Sequence, residues 1–187
     1  MMKRFTESLS RRQGHRPGFT LIEASLATVI VGVGVLSMMQ LFTACTKQNG
    51  AAANMTTAML LAENIQETMA GLSFSDPAFG RTYFGVEPGQ TLPSYDDIDD
   101  FDGKTFSPPI DSTRTAIANL SQYSQVISVW PVYANQLSSN SNPASPDLSQ
   151  VTYTGAARVM VRILHRQHPG DTPTEVYRTS WIRADLP

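Results

Sequence analysis

The sequence predicts an α+β fold in which one long N-terminal helix packs on a small antiparallel sheet. An uncharged run, residues 24–46, is followed directly by an amphipathic segment that extends to Ala70. A stretch rich in Pro and Gly, residues 73–111, separates this helical region from a C-terminal third in which apolar and polar residues alternate as in strands. A helix layer on an antiparallel sheet is sufficient to bury a small core.

The first 18 residues form a basic leader. They hold five Lys or Arg residues against Glu7, a net charge of +4, which leaves −6 for the rest of a chain whose formal net charge is −2. Basic residues beside a membrane segment favour the cytoplasm, so the leader is predicted to stay there while the C-terminal domain is exported. The acidic remainder lacks the basic surface typical of nucleic-acid binding, and no nucleic-acid partner is indicated.

The uncharged run is long enough to cross a membrane. Its 23 residues would form a helix of about 35 Å, against a bilayer hydrocarbon core of about 30 Å. Glu23 stands at the start of this run, where a carboxylate costs up to about 3 kcal/mol if it is buried at mid-bilayer. Glu23 is therefore expected to have a partner or a function, which a simple signal anchor does not explain. Gly32 and Gly34 would either let neighbouring helices approach closely or permit local unwinding.

Residues 18–23 read Gly-Phe-Thr-Leu-Ile-Glu. With a basic leader before it and a hydrophobic run after it, this motif resembles the processing site of type IV pilins and of the pseudopilins of type II secretion. The resemblance implies that prepilin peptidase cleaves after Gly18, that the new N-terminal Phe19 is methylated, and that Glu23 acts in filament assembly. It also implies three partners besides membrane lipid: the peptidase, other pilins or pseudopilins, and an inner-membrane assembly platform.

The same resemblance implies a bacterial inner-membrane protein that crosses the membrane once and then enters a filament. Residues 57–65 and the ending Trp181-Ile182-Arg183-Ala184 are most like minor pilins of the PilV type and minor pseudopilins of the GspI type. The expected organisation is a cleaved leader, a transmembrane and filament-core helix, an amphipathic continuation, and an exported globular domain in the periplasm or beyond: residues 1–18, 19–46, 47–72 and 73–187.

The amphipathic continuation is predicted to bury one face. Leu61, Ile65 and Met69 recur at helical spacing, and Gly71 is the predicted stop. Met55 and Met59 lie on a second track, for which a packed core face is expected in preference to an adaptable binding surface.

Cys45 is the single cysteine of the chain, so no internal disulfide can form. It is expected to be a packed thiol in the membrane helix. An alternative stays open because residues 41–45, Leu-Phe-Thr-Ala-Cys, partly match a lipobox, although Phe42 replaces the usual Leu. In that alternative the chain is a membrane-anchored or Cys45-lipidated extracytoplasmic binding module.

Five of the seven residues 96–102 are aspartates: Asp96, Asp97, Asp99, Asp100 and Asp102. An EF-hand is excluded because its terminal carboxylate position would fall on Pro109. A different calcium site with oxygen ligands stays open, and no other cofactor is expected. The favoured interpretation is a solvated acidic loop whose Asp side chains cap turns and which Tyr95, Ile98 and Phe101 dock to the body.

Three segments are predicted as strands: residues 122–133, 157–165 and 175–184. In the second segment Val159, Val161 and Ile163 share one face. The tight segment 168–173 turns the chain into an antiparallel hairpin, and the first strand completes a meander.

The sequence contains no glycine-rich phosphate loop and no nucleophile elbow. His165 and His168 with Asp171 could hold a metal, but the spacing suggests no third ligand, and ordinary surface histidines are expected. The chain is therefore predicted to be a structural protein and a substrate of the peptidase, and not an enzyme.

Overall fold

The computed structural model describes residues 18–76, 89–133 and 153–185. Helix α1 spans Leu21–Ala70, and four strands follow it: β1 (Thr105–Phe106), β2 (Tyr123–Pro131), β3 (Ala156–His165) and β4 (Thr174–Ala184). The chain divides into two compact units, of which the first ends at Gln48 and the second begins at Asn49. The predicted leader, apart from Gly18, lies outside the described residues.

The part of α1 that precedes Gln48 is apolar and exposed, with Ile30 and Leu41 more than 60% accessible. Its Ser and Thr hydroxyls each donate a hydrogen bond of 2.8–2.9 Å to the backbone carbonyl four residues earlier, at Ser25, Thr28, Ser37, Thr43 and Thr46. These hydroxyls need no water partner, which suits an apolar surrounding. By its length and composition, α1 can span a membrane or act as a signal segment.

The later part of α1 buries one face in the core. Leu61, Ile65 and Met69 are buried as predicted, together with Ala58 and Ala62. The expectation for Met55 and Met59 was wrong, because these side chains are 39% and 41% exposed. Because a helix turns by about 100° per residue, both side chains lie to one side of the buried face, and Ile65 is at the centre of that face. The helix ends at Ala70, directly before Gly71, as predicted.

The four strands form one antiparallel meander in the order β1-β2-β3-β4. Alternate residues of the two central strands face the core: Tyr123, Gln125, Ile127 and Val129 on β2, and Ala157, Val159, Val161 and Ile163 on β3. The three predicted strands are confirmed. β1 was not predicted, because it has only two residues and lies within the stretch punctuated by Pro and Gly.

Hydrogen bonds of polar side chains also join α1 to the sheet. Gln125 is fully buried, and its Nε2 donates to the carbonyl oxygen of Leu61 at 2.9 Å, which links β2 to the helix. At the end of α1, the guanidinium of Arg183 on β4 donates to the carbonyl oxygens of Ala70 and Leu72 at 3.3 and 3.0 Å. Arg183 thus satisfies the carbonyl of Ala70, which the helix C-terminus leaves without an intrahelical partner, and that of Leu72 just beyond the helix.

The predicted α+β class is confirmed: the later part of a 50-residue N-terminal helix packs against a four-stranded antiparallel sheet. A long N-terminal apolar helix combined with such a sheet is an architecture that resembles that of pilins.

Candidate functional site

The first candidate site is the segment that leads into α1. Residues 18–20 lie outside the helix, and the side chain of Phe19 is 81% exposed. A peptidase needs an accessible, non-helical backbone at the bond it cleaves, and the Gly18–Phe19 bond meets that condition. Cleavage after Gly18 and methylation of Phe19 remain predictions.

Glu23 lies in the first turn of α1 and has a partner in its own chain. Its Oε2 accepts hydrogen bonds from the backbone N–H and the Oγ1 of Thr20, each at 3.0 Å. In return, the Oγ1 of Thr20 accepts the backbone N–H of Glu23 at 3.3 Å. This reciprocal arrangement is a capping box, which satisfies two N–H groups that the helix start would otherwise leave unpaired. Sequence reasoning missed Thr20, although the Thr-x-x-Glu spacing carries that signal.

The second candidate site is the acidic loop, which is anchored to the segment that follows α1. The backbone N–H of Ile98 donates to the carbonyl of Ser73, and the N–H of Ser73 donates to the carbonyl of Asp96, each at 3.2 Å. Tyr95, Ile98 and Phe101 are buried, and the rings of Tyr95 and Phe101 meet edge to face with centroids 5.0 Å apart. Docking by these three apolar side chains, as predicted, is confirmed.

The docking of these three apolar side chains also buries neighbouring aspartates. Asp97, Asp99 and Asp100 are at most 1% exposed, so the prediction of a solvated acidic loop was wrong. Ile98 and Phe101 are fully buried, and the aspartates directly before and between them in the sequence are buried with them, two in the short 3₁₀ turn Asp99–Phe101. Asp96 remains exposed, whereas Asp102 is half-buried and accepts the backbone N–H of Val129 at 2.7 Å.

The loop brings three of the five aspartates together. Asp96, Asp97 and Asp100 each place one carboxylate oxygen within 4.8 Å of the others. The prediction that Asp side chains cap turns is confirmed: Asp97 Oδ1 accepts the N–H of Asp100 at 3.2 Å, and Asp100 Oδ2 accepts the N–H of Asp96 at 3.0 Å. Desolvation, followed by a hydrogen bond to Asp99 and the negative charges of Asp99 and Asp100, raises the pKa of Asp97 to about 9.

The remaining candidate residues do not form a site with these groups. The imidazole of His165 lies against the ring of Tyr123, with centroids 4.6 Å apart, and Asp171 accepts the backbone N–H of His168 at 2.9 Å. Within the described ranges, neither histidine belongs to a group of potential metal ligands. Cys45 is exposed on α1 as a free thiol, so its expected packing is not supplied by its own chain.

No family model, curated protein or solved structure matches this chain. The likeness to pilins consequently depends on the architecture and on the motif at residues 18–23.

Proposed function

We propose that this protein is a minor pilin or pseudopilin, a structural subunit of a type IV pilus or of a type II secretion pseudopilus. The observation that carries the proposal is the apolar surface of α1, of which the membrane-length part is entirely unburied within the chain. Apolar surface on this scale stabilises a protein only when lipid or another protein covers it, by about 25 cal/mol for each Å² removed from water.

The exposed apolar surface continues beyond the length that a membrane needs. The uncharged run ends at Thr46, but three further apolar side chains are exposed after it: Met55, Met59 and Leu60. They lie 9 to 14 residues beyond Thr46, or roughly 13 to 21 Å along the helix. A plain anchor requires an apolar surface only across the bilayer, whereas a filament of parallel helices would cover these side chains as well. This extension favours a subunit of an assembly over a domain that is merely tethered.

Glu23 would set the axial register between neighbouring subunits of the filament. Cleavage after Gly18 would create a positive amine on Phe19, and a Glu23 carboxylate from a neighbouring subunit would neutralise it in the low-dielectric filament core. In the single chain this carboxylate is held by Thr20. Assembly would therefore use an acid whose position is already fixed by the helix cap.

The proposed life cycle follows the charge and hydrophobicity of the chain. The basic leader stays in the cytoplasm, α1 crosses the inner membrane once, and the globular domain lies on the extracytoplasmic side. Prepilin peptidase then removes the leader and methylates Phe19, and the assembly platform draws the mature subunit into the filament together with other pilins or pseudopilins.

The first test is the N-terminal residue and intact mass of the protein purified from membranes that contain its native processing enzymes. N-methyl-Phe19 is the expected result. A lipid-modified Cys45 would replace the filament model with a tethered binding module, and an intact Met1 would indicate a plain anchored domain.

Gly18→Ala tests the cleavage site, because a side chain before the scissile bond should slow processing. The precursor of this variant is expected to accumulate. Gly14→Ala makes the same chemical change four residues earlier in the leader and should be processed as the wild type. Normal processing of Gly18→Ala would contradict the proposed site.

A further inference from the structure

The acidic loop buries carboxyl groups whose hydrogen-bonding capacity its own chain leaves partly unsatisfied. Asp97 and Asp100 are both 0% exposed. By hydrogen-bond geometry, Asp97 Oδ2 and Asp100 Oδ1 are buried without a partner within the described residues, and the Asp97 carboxyl also interacts with the side chain of Asp99. A buried carboxylate oxygen without a partner is strongly unfavourable, and carboxylates that lie close together also repel one another.

In the part of the chain that the structure describes, the neighbouring N–H groups and cations bind atoms other than these two oxygens. The backbone N–H of Asp96 donates to Asp100 Oδ2, and the backbone N–H of Asp100 donates to Asp97 Oδ1. In each carboxyl group the hydrogen bond therefore goes to the oxygen that is not one of the two unpartnered atoms. Arg114 donates its Nη1 to the carbonyl oxygens of Leu92 and Tyr95 at 3.0 and 2.8 Å. The Nζ of Lys104 lies over the ring of Tyr95, 5.6 Å from its centroid.

We infer that Asp96, Asp97 and Asp100 form a binding site for a divalent cation that prefers oxygen ligands, namely Ca²⁺. The inference stands on two independent observations: three carboxylate oxygens converge within 4.8 Å, and two of the three side chains are fully buried with an unpartnered oxygen. A bound cation would be coordinated by the three converging oxygens and would neutralise most of the charge of the ionised carboxylates.

The donor set selects the class of cation. Ca²⁺ takes six to eight oxygen ligands in flexible geometry, drawn from carboxylates, backbone carbonyls and water. Zn²⁺ prefers His and Cys, neither of which belongs to the cluster, and Mg²⁺ requires near-ideal octahedral geometry. The exposed Asp96 leaves one side of the cluster open to solvent, which gives an ion and its remaining water ligands a path in.

The surrounding contacts hold the three ligands in place before a cation binds. The backbone bridge to Ser73 fixes the loop at Asp96 and Ile98, and Arg114 fixes it at Tyr95. Binding would hold residues 96–100 in the conformation that the bridge to Ser73 requires, so the stability of this region would depend on Ca²⁺. This role goes beyond the proposed filament function and does not require it.

The test uses the full chain purified in a nonionic detergent, with Tb³⁺ as a luminescent substitute for Ca²⁺. Tyr95 is adjacent to Asp96 and can sensitise bound Tb³⁺, so saturable emission is expected on excitation of tyrosine. Ca²⁺ should displace Tb³⁺ with a dissociation constant of about 10⁻⁴ to 10⁻³ M, the range of extracellular calcium modules, and Mg²⁺ should displace it far less. Ca²⁺ should also raise the unfolding temperature above that measured in EDTA.

Asp100→Asn removes one ligand charge and should weaken Ca²⁺ binding by at least about tenfold. Asp96→Asn should also weaken it, and because Asp96 is exposed, this variant tests the site without disturbing the core. Asp102→Asn is the matched control: it removes a charge from the same loop but retains an oxygen for the N–H of Val129, and it should keep near-wild-type affinity. Absence of saturable, Ca²⁺-displaceable emission in the wild type overturns the inference, and so does unchanged affinity in Asp96→Asn.

Discussion

The two parts of α1 contain similar side chains but are held by different partners. Ile30, in the first part, is 63% exposed, whereas Ile65, in the second, is completely buried between the helix and the sheet. Hydroxyls bond back to the helix backbone in both parts, but in the second part the carbonyl oxygen of Leu61 also accepts a hydrogen bond from Gln125 on β2. The second part is therefore stabilised by its own chain, and the first requires lipid or other subunits.

This difference separates folding from assembly. Substitutions on the buried face should change the stability of the globular domain, whereas those near the start of α1 should change processing and incorporation while the domain stays folded. Four experiments use this distinction, from the largest expected effect to the smallest.

Glu23→Gln should abolish incorporation into filaments, with a decrease of at least about tenfold, because it removes the charge that would neutralise the Phe19 amine. Glutamine still accepts the N–H of Thr20, so the helix cap is retained. The measurement compares the cleaved protein in membranes with the protein in sheared filaments.

Thr20→Ala is the matched change at the same helix start, since it removes the cap hydroxyl and keeps the charge. It should be cleaved and incorporated with only a small loss. If Glu23→Gln assembled normally and Thr20→Ala did not, Glu23 would act as a helix cap and not as an intersubunit charge.

Ile65→Ala should lower the free energy of unfolding by about 2 to 5 kcal/mol, because it leaves a cavity in the core. Ile30→Ala makes the same change on the exposed part of α1 and should alter that free energy by less than about 0.5 kcal/mol. Denaturant unfolding of the full chain in detergent, followed by tryptophan fluorescence, measures both values. Equal losses would contradict the assignment of the two parts to different partners.

Gln125→Ala should lower the free energy of unfolding by about 1 to 3 kcal/mol. Its Oε1 accepts the backbone N–H of Ile110 at 2.7 Å, and truncation leaves that buried donor without a partner. Gln66→Ala, on the exposed side of α1, is the control and should be close to neutral. The same denaturation assay compares the two, and a neutral Gln125→Ala would show that water replaces the amide.

Arg183→Ala should lower the free energy of unfolding by about 1 kcal/mol, because the carbonyls of Ala70 and Leu72 lose their donor. Arg178→Ala, also on β4, removes an exposed ion pair with Glu175 and should cost about 0.5 kcal/mol or less. A larger effect at Arg178 than at Arg183 would mean that the helix end is stabilised in another way.

The sequence by itself determined the long helix and three of the four strands of this protein. The predicted helix and its end before Gly71 match the structure, and so does the inward face of Val159, Val161 and Ile163. These features follow from periodicity and from a helix stop, which are local properties of the chain. The motif at residues 18–23 is local in the same way, which is why Gly18, Phe19 and Glu23 could be selected without coordinates.

Only the tertiary structure decided which charged and polar groups become buried. Asp97 and Asp100 were expected in solvent, but Ile98 and Phe101 enter the core and carry them along. The positions of Met55 and Met59 outside the buried face, and the contacts of Gln125 and Arg183 with α1, likewise depend on how helix and sheet meet. Burial is set by partners that are distant in sequence, so composition and spacing within a segment do not determine it.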